Sequence, residues 1–283
     1  MKRYLNDSTI IDFVSSKLWQ QKINEDCKQQ NVFFTIREDR IDLYHKGGKL
    51  FSFKNNSLKT HIKYAAVIDS NDDSDQNYLS ESELQNLSIT SDYLTGYKRI
   101  KENCSKYSGV ESAGVSQIYH KHSYLSDSDV VVLDIEISFD ALDESSKKDR
   151  IDLLLLDRNT GKLQFVEAKH FSNKELWSKS NPSVIKQLAR YEKQISDRES
   201  EIIIEYGKYV QNINSIFKLD LPVPTEIENQ VLLLVFGFDD DQKKGRLNKL
   251  INKNEYYRGV KTYQKGDIKN LNTTTLWNGK VLK

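Results

Sequence analysis

Residues 149–170, which read DRIDLLLLDRNTGKLQFVEAKH, predict two paired β-strands that carry acidic residues at one end. Ile151 to Leu156 is a short apolar run, Asn159-Thr160-Gly161 is a turn signal, and Leu163 to Ala168 is a second apolar run. This pattern is typical of a β-hairpin whose body is buried.

The charged residues of this hairpin are expected to converge. Side chains alternate between the two faces of a strand, so Glu167 and Lys169 share a face and Asp152 can meet them from the first strand. Burying two carboxylates and an ammonium beside apolar side chains is unfavourable unless the charges are paired or bind a metal ion. Because carboxylate oxygens suit Mg²⁺ or Mn²⁺, the hairpin predicts a divalent-cation site with a lysine beside it.

The order of these residues resembles the signature of the PD-(D/E)XK nuclease superfamily: Asp152, fourteen further residues, then Glu167-Ala168-Lys169. The proline of that signature is replaced by Ile151. The resemblance implies an α/β, restriction-endonuclease-like core of a helix, three antiparallel strands, a helix and a further strand, with the acids at the edge of the sheet. It also implies that Asp152, Glu167 and the carbonyl of Ala168 bind Mg²⁺, for which Mn²⁺ can substitute, and that Lys169 orients the attacking water.

The sequence after the hairpin agrees with this order. Pro182 to Tyr209 predicts a helix, in which Gln187 and Tyr191 are four residues apart and share a face. The pair resembles the QxxxY motif of the RecB-like branch, whose residues approach the active site, although a Gln and a Tyr at this spacing are usually surface and packing residues. Gln230 to Phe238 predicts a buried strand, matching the last core strand of the family.

The sequence before the hairpin predicts a strand at Val130 to Phe139 and a helix at Glu111 to Tyr124. In the family the first core helix often supplies an additional acidic ligand. We assign that role to Glu111, with Glu102 and Glu136 as competing candidates.

The N-terminal region is expected to be a separate unit. A helix from Ser8 to about Gln29 precedes several strand-like segments, with a hairpin turn at Gly47-Gly48, so residues 1–68 predict a helix followed by a β-meander. Residues 69–90 are acidic and polar and predict a linker. The nuclease domain would then span residues 91–283.

Three further elements are predicted in the 91–283 domain. Residues 91–108 predict a helix that opens it. Gln242 to Asn254 predicts a basic helix, which either meets a phosphate backbone or is a solvated face. Asn278-Gly279 predicts the turn of a terminal type I′ hairpin.

Composition limits the class of protein. The chain has 283 residues and a net charge of +1, so any nucleic-acid surface must be local. Its two cysteines, Cys27 and Cys104, do not form a disulfide framework, and no apolar run approaches the length of a membrane span. We therefore expect a soluble, cytoplasmic protein.

These features predict a Mg²⁺-dependent deoxyribonuclease, with a role in prokaryotic antiviral defence, restriction or repair. The alternative is a catalytically inactive nucleic-acid-binding or protein-interaction subunit with the same fold. A third hypothesis is an effector whose N-terminal unit senses a ligand or partner. The expected partner is DNA. A second copy of the chain is a further candidate partner, because double-strand breaks usually need two active sites, and a protein that regulates or recruits the chain is another.

Overall fold

The computed structural model describes residues 2–65, 78–82, 92–139 and 150–283. The chain forms two compact units, which we describe separately. The N-terminal unit comprises Lys2–Ser116 with Gln211–Leu219, and the C-terminal unit comprises Gln117–Val210 with Asp220–Lys283. The predicted α/β class is confirmed, since a mixed sheet is flanked by helices.

The N-terminal unit begins with a helical region that is interrupted. Its elements are α1 (Asp7–Ser15), a π-helical turn (Trp19–Ile23) and α2 (Asn24–Lys28). The side chain of Asn6 caps α1 by accepting the N–H of Thr9 at 2.8 Å. The single helix predicted from Ser8 to Gln29 is therefore wrong, because the backbone of Ser16 is extended and ends α1.

An antiparallel sheet follows in the order β1-β2-β3-β4-β5. Its strands are β1 (Phe33–Arg37), β2 (Arg40–His45), β3 (Gly48–Lys54), β4 (Ser57–His61) and β5 (Tyr78–Ser80). The β2–β3 turn occupies Lys46-Gly47, one residue earlier than predicted, because Gly48 already pairs with His45. Both turn residues have positive φ, 46° and 87°.

Helix α3 (Tyr93–Lys106) belongs to this unit rather than to the domain that the sequence predicts from residue 91. Its Tyr97 hydroxyl and Lys101 ammonium both reach Asp26, at 2.7 and 2.6 Å. Tyr93 stacks edge-on against Phe51 of β3. The predicted linker at 69–90 lies mostly outside the described residues, and β5 falls within it.

The C-terminal unit is built on a sheet in the order β12-β11-β10-β8-β7-β6, with β9 pairing separately to β8. Its strands are β6 (Val130–Ser138), β7 (Arg150–Asp157), β8 (Lys162–His170), β9 (Glu226–Ile227), β10 (Leu232–Phe236), β11 (Lys261–Lys265) and β12 (Lys280–Val281). Strands β6, β7 and β8 form an antiparallel meander, and β10 is parallel to β8. The predicted hairpin is confirmed over residues 150–170.

Helices flank this sheet or link it to the other unit. They are α4 (Val110–Lys121), α5 (Ser183–Asp197), α6 (Glu199–Phe217), α7 (Asp240–Gln242), which continues as a π-helix (Lys243–Asn252), and α8 (Thr273–Trp277). Helix α5 follows Pro182 and buries one face, which includes Leu188 and Tyr191. The helix predicted from Pro182 to Tyr209 is divided at Arg198, whose ψ of 18° lies outside the helical region.

The predicted terminal hairpin is wrong. Residues Thr273–Trp277 form α8, which Asn272 caps by accepting the N–H of Thr275 at 3.1 Å. Asn278 has a φ of −83°, which excludes the type I′ turn. Strand β12 pairs instead with β11, where Lys261 faces Val281.

In the part of the chain that is described, no helix combines the length and apolar character that a membrane span requires.

Candidate functional site

The β7–β8 hairpin opens at its acidic residues. The regular ladder ends where Leu153 faces Val166, so Asp152 and Glu167 are the next facing pair. Beyond the ladder, the N–H of Ala168 donates to Asp152 Oδ2 at 2.8 Å. The carboxylate thus takes the place that a main-chain acceptor would take in a longer ladder, and it is held where the strands separate.

The second strand of the hairpin is held on its other side by β10. Glu167 faces Leu233 and Lys169 faces Val235 in a parallel ladder. The resemblance implied acids at the edge of the sheet, but β8 lies between β7 and β10, so Glu167 stands on a central strand. Burial follows from this position: Glu167 is 2% exposed and Lys169 is 5% exposed.

Lys169 lies between two carboxylates. Its Nζ is 2.8 Å from Glu167 Oε1 and 2.7 Å from Glu175 Oε2. Glu175 belongs to a short 3₁₀ helix (Lys174–Leu176) that Asn173 caps through its side chain. Glu175 was not predicted from the sequence. The capping asparagine just after the strand is the signal that could have indicated a turn bringing this residue back to Lys169.

The acidic pair is electrostatically strained. Removal from water, and then repulsion from Glu167, raises the pKa of Asp152 well above its usual range. The hydrogen bond from Ala168 and the charge of Lys169 act in the opposite direction. An additional positive charge would relieve the repulsion, and a proton or a metal ion can supply it.

Gln187 and Tyr191 reach the strand that carries Asp152. The Tyr191 hydroxyl donates to the main-chain carbonyl of Arg150 at 2.8 Å, and Gln187 Nε2 donates to the Tyr191 hydroxyl at 2.6 Å. The buried Oε1 of Gln187 has no hydrogen-bond partner within the described residues. The two hydrogen bonds therefore tie helix α5 to the strand that carries Asp152.

The three candidates for an additional acidic metal ligand lie on three different elements. Glu111 lies in the first turn of α4 and Glu102 lies in α3, and both belong to the N-terminal unit. Glu136 lies on β6 in the C-terminal unit, and the β6–β7 register brings it opposite Asp152. Its charge also contributes to the raised pKa of Asp152. Glu111 stays a prediction, whereas Glu136 is placed beside the acidic pair.

The donor set suits a hard cation but is small. Across the described residues, no three or more His, Cys, Asp and Glu side chains are grouped so as to hold a metal ion. Asp152, Glu167 and the carbonyl of Ala168 supply oxygen atoms alone, which is the donor chemistry of Mg²⁺ sites. Mg²⁺ usually keeps several waters and substrate oxygens, so two carboxylates fit it better than they fit Zn²⁺.

Comparisons of the chain with models of known families, with curated proteins and with solved structures find no match. Function is therefore inferred from the residues of the site and their contacts.

Proposed function

We propose that this chain is a metal-dependent nuclease that hydrolyses phosphodiester bonds, with DNA as the expected substrate. The observation that carries the proposal is the facing pair Asp152 and Glu167, beside Lys169, where β7 and β8 separate. Two carboxylates that oppose each other's ionisation favour a cation, and an adjacent ammonium can contact an anionic substrate. A purely structural ion-pair cluster would not need the second, strained carboxylate.

The order of elements supports a restriction-endonuclease-like core. Helix α4 is followed by the β6–β8 meander, by α5 and, after the additional elements α6 and β9, by β10. Apart from α6 and β9, this is the order that the PD-(D/E)XK resemblance implies. Gln187 and Tyr191 lie on the helix after β8, where the RecB-like branch carries its QxxxY motif. Roles in prokaryotic defence, restriction or repair are proposed from this resemblance alone.

Asp152, Glu167 and the carbonyl of Ala168 would hold Mg²⁺, or Mn²⁺ in its place. When bound, such an ion supplies positive charge to the scissile phosphate and lowers the pKa of a water molecule.

The chain's own residues position the reacting groups. The N–H of Ala168 fixes the carboxylate of Asp152, and the two flanking glutamates fix the ammonium of Lys169. That ammonium orients the attacking water and balances negative charge that develops on the phosphate. Tyr191 holds the main chain of β7 two residues before Asp152, so the strand keeps its position when substrate binds.

The test is cleavage of circular single-stranded DNA and supercoiled double-stranded DNA in Mg²⁺, Mn²⁺ or EDTA. We expect metal-dependent cleavage by the wild type and a loss of about 100-fold or more in Asp152→Ala and Lys169→Ala, because the first removes a carboxylate that would hold the metal ion and the second removes the ammonium that contacts the reacting phosphate. Glu226→Gln is the matched control. It removes an exposed carboxylate beside the opposite end of β8, and its activity should equal that of the wild type.

The outcomes separate the alternatives. Wild-type cleavage by Asp152→Ala would exclude the proposed site. No cleavage with any metal, combined with binding of DNA, would favour the catalytically inactive binding subunit. Cleavage of circles identifies an endonuclease because circles have no ends.

Thermal unfolding gives a second readout that does not depend on activity. A ligand at about 100 times its Kd stabilises a folded protein by about 2.7 kcal/mol. Mg²⁺ should therefore raise the Tm of the wild type and of Glu226→Gln, and it should leave that of Asp152→Ala unchanged.

A further inference from the structure

Three acidic residues face one another across three neighbouring strands. The register of β6 and β7 places Glu136 opposite Asp152, and the register of β7 and β8 places Asp152 opposite Glu167. The row lies at the point where the hairpin opens, so it forms one side of the candidate site.

Glu136 has a backbone that is unusual for a strand. Its φ is +53°, in the left-handed region that residues other than glycine rarely adopt. It follows an irregularity in β6, where the register with β7 shifts between Val132 and Asp134. Backbone strain of this kind is concentrated at functional sites, where it aims a particular side chain.

The side chain of Glu136 holds an exposed arginine. Glu136 Oε2 lies 2.8 Å from an Nη atom of Arg150, and the two side chains are 22% and 62% exposed. Arg150 and Asp152 are two residues apart on β7 and therefore share a face. The main chain of Arg150 is fixed as well, because its carbonyl accepts the hydroxyl of Tyr191.

The two cations of the site differ in accessibility. The side chain of Lys169 is 7% exposed and is enclosed by Glu167 and Glu175, whereas most of the Arg150 side chain is exposed. A guanidinium presents five N–H donors in a plane that matches two phosphate oxygens, and the contact with Glu136 leaves several of them available. An anion that approaches this acidic face thus meets Arg150 before Lys169.

We infer that Arg150 binds a phosphate group of the substrate that neighbours the scissile phosphate, and that Glu136 is a positioning residue for its guanidinium. The inference rests on the proposed function, because it names a substrate contact of the same site. A purely stabilising role explains the ion pair of Arg150 and Glu136 less well than a role in binding does. Exposed pairs contribute little to stability, whereas the left-handed backbone of Glu136 opposes folding.

The first test measures binding of a fluorescein-labelled DNA oligonucleotide by fluorescence anisotropy in EDTA, over a range of salt concentrations. Arg150→Ala should raise Kd about tenfold and reduce the slope of log Kd against log salt by about one ion, because one phosphate contact is lost. Lys193→Ala is the matched control. Lys193 is 66% exposed and is also held by one carboxylate, that of Asp197 at 2.7 Å. An equal loss of DNA affinity in Arg150→Ala and Lys193→Ala would overturn the specific role of Arg150.

Glu136→Gln tests the positioning role through the sign of its effect. If Glu136 only repels the polyanion, its neutralisation tightens binding, and that outcome would overturn the role. If Glu136 positions Arg150, binding weakens although a negative charge has been removed, and Glu136→Asp restores part of it. The salt slope of Glu136→Gln should stay at the wild-type value, since the arginine is retained.

Failure of this inference can be distinguished from failure of the proposed function. Wild-type binding by Arg150→Ala, with cleavage still abolished by Asp152→Ala, would overturn the phosphate contact and leave the nuclease in place. Full cleavage by Asp152→Ala would overturn the nuclease site, and the inference that rests on it, whatever Arg150→Ala shows.

Discussion

At the scale of single residues, the site is defined by charges that burial makes unfavourable. Asp152 and Glu167 face each other on adjacent strands, and Lys169 neutralises Glu167 more directly than it does Asp152. The Ala168 N–H gives Asp152 one hydrogen bond but no positive charge. Without a cation the ionised Asp152 therefore destabilises the folded chain.

The uncompensated negative charge of Asp152 predicts how the stability of the folded chain depends on pH in EDTA. The folded pKa of Asp152 is raised, mainly by burial and then by Glu167, so the folded state keeps a proton that the unfolded state has released. Stability should fall as pH rises from about 4, the unfolded pKa, through the folded pKa. Asp152→Asn keeps an oxygen acceptor for Ala168 and removes the charge. We expect it to be more stable than the wild type at pH 7 by about 1 kcal/mol or more in urea unfolding.

Asp157→Asn is the control for this prediction, because Asp157 is the last residue of the same strand and its side chain accepts a local turn N–H, that of Asn159. Its stability should follow the wild-type pH profile. Equal stability of Asp152→Asn and the wild type at pH 5 and pH 8 would show that the carboxylate is not strained.

Residues of the site that are close in sequence could be predicted, and those that meet through register could not. Strand alternation and local apolar runs identify Asp152, Glu167 and Lys169. The contact of Arg150 with Glu136 depends on the register of β6 and β7, which includes an irregularity that the sequence does not mark. For the same reason the sequence favoured Glu111 over Glu102 and Glu136 and gave no sign that Glu136 lies opposite Asp152.

At the scale of elements, the C-terminal end of β10 packs closely against the end of β8. Gly237 follows β10 with a φ of +78°. A Cβ atom at this position would collide with the imidazole of His170, the last residue of β8. The glycine thus allows β10 to turn away directly beside the strand that carries Glu167 and Lys169.

Two glycine substitutions test this close packing. Gly237→Ala should destabilise the chain by more than about 1 kcal/mol, because alanine is strained at positive φ and the added methyl group displaces His170. Gly245→Ala is the matched control, since Gly245 lies in the π-helix Lys243–Asn252 and nothing lies within 4 Å of its added Cβ. It should stabilise the helix by about 0.5–1 kcal/mol. Chemical unfolding measures both changes, and a destabilisation of equal size in the two variants would contradict the account.

Element types could be predicted where the pattern is local and strong. The hairpin of β7 and β8, helix α5 and strand β10 all follow from apolar periodicity. The predictions that were wrong concern the residues at which helices begin and end. Ser16 ends a helix through its backbone conformation, and Asn272 caps a helix where an Asn-Gly pair suggested a hairpin. In both places the conformation or side chain of one residue set an end of the helix, against the prediction from the surrounding sequence.

At the scale of the whole molecule, the division of the chain does not follow the composition. The acidic stretch at 69–90 suggested a linker before residue 91, but α3 belongs with the N-terminal sheet. Gln211–Leu219, which comprises the end of α6 and the two residues after it, also belongs to that unit. There Phe217 contacts Trp19 and Phe34 at ring distances of 5.7 and 5.5 Å. Long-range packing of this kind leaves no local mark in the sequence.

A fragment of residues 91–283 should therefore fold less well than the full chain. It lacks the partners of the buried face of α3, which includes Tyr97 and Ile100, and the aromatic partners of Phe217. We expect it to bind an apolar-surface dye and to melt at lower temperature and with less cooperativity, because about 25 cal/mol is lost for each Å² of apolar surface that becomes exposed. Fluorescence with the dye and circular dichroism during heating measure these changes.

A fragment of residues 107–283 is the matched control, because it removes α3 while keeping Phe217. Lower dye binding than in the 91–283 fragment would assign the exposed surface to α3, whereas equal binding would assign it to the end of α6. Cooperative melting of the 91–283 fragment within a few degrees of the full chain would contradict the prediction. If the prediction holds, lost cleavage in that fragment reports unfolding, so a sensing role of the N-terminal unit must be tested by substitutions in the full chain.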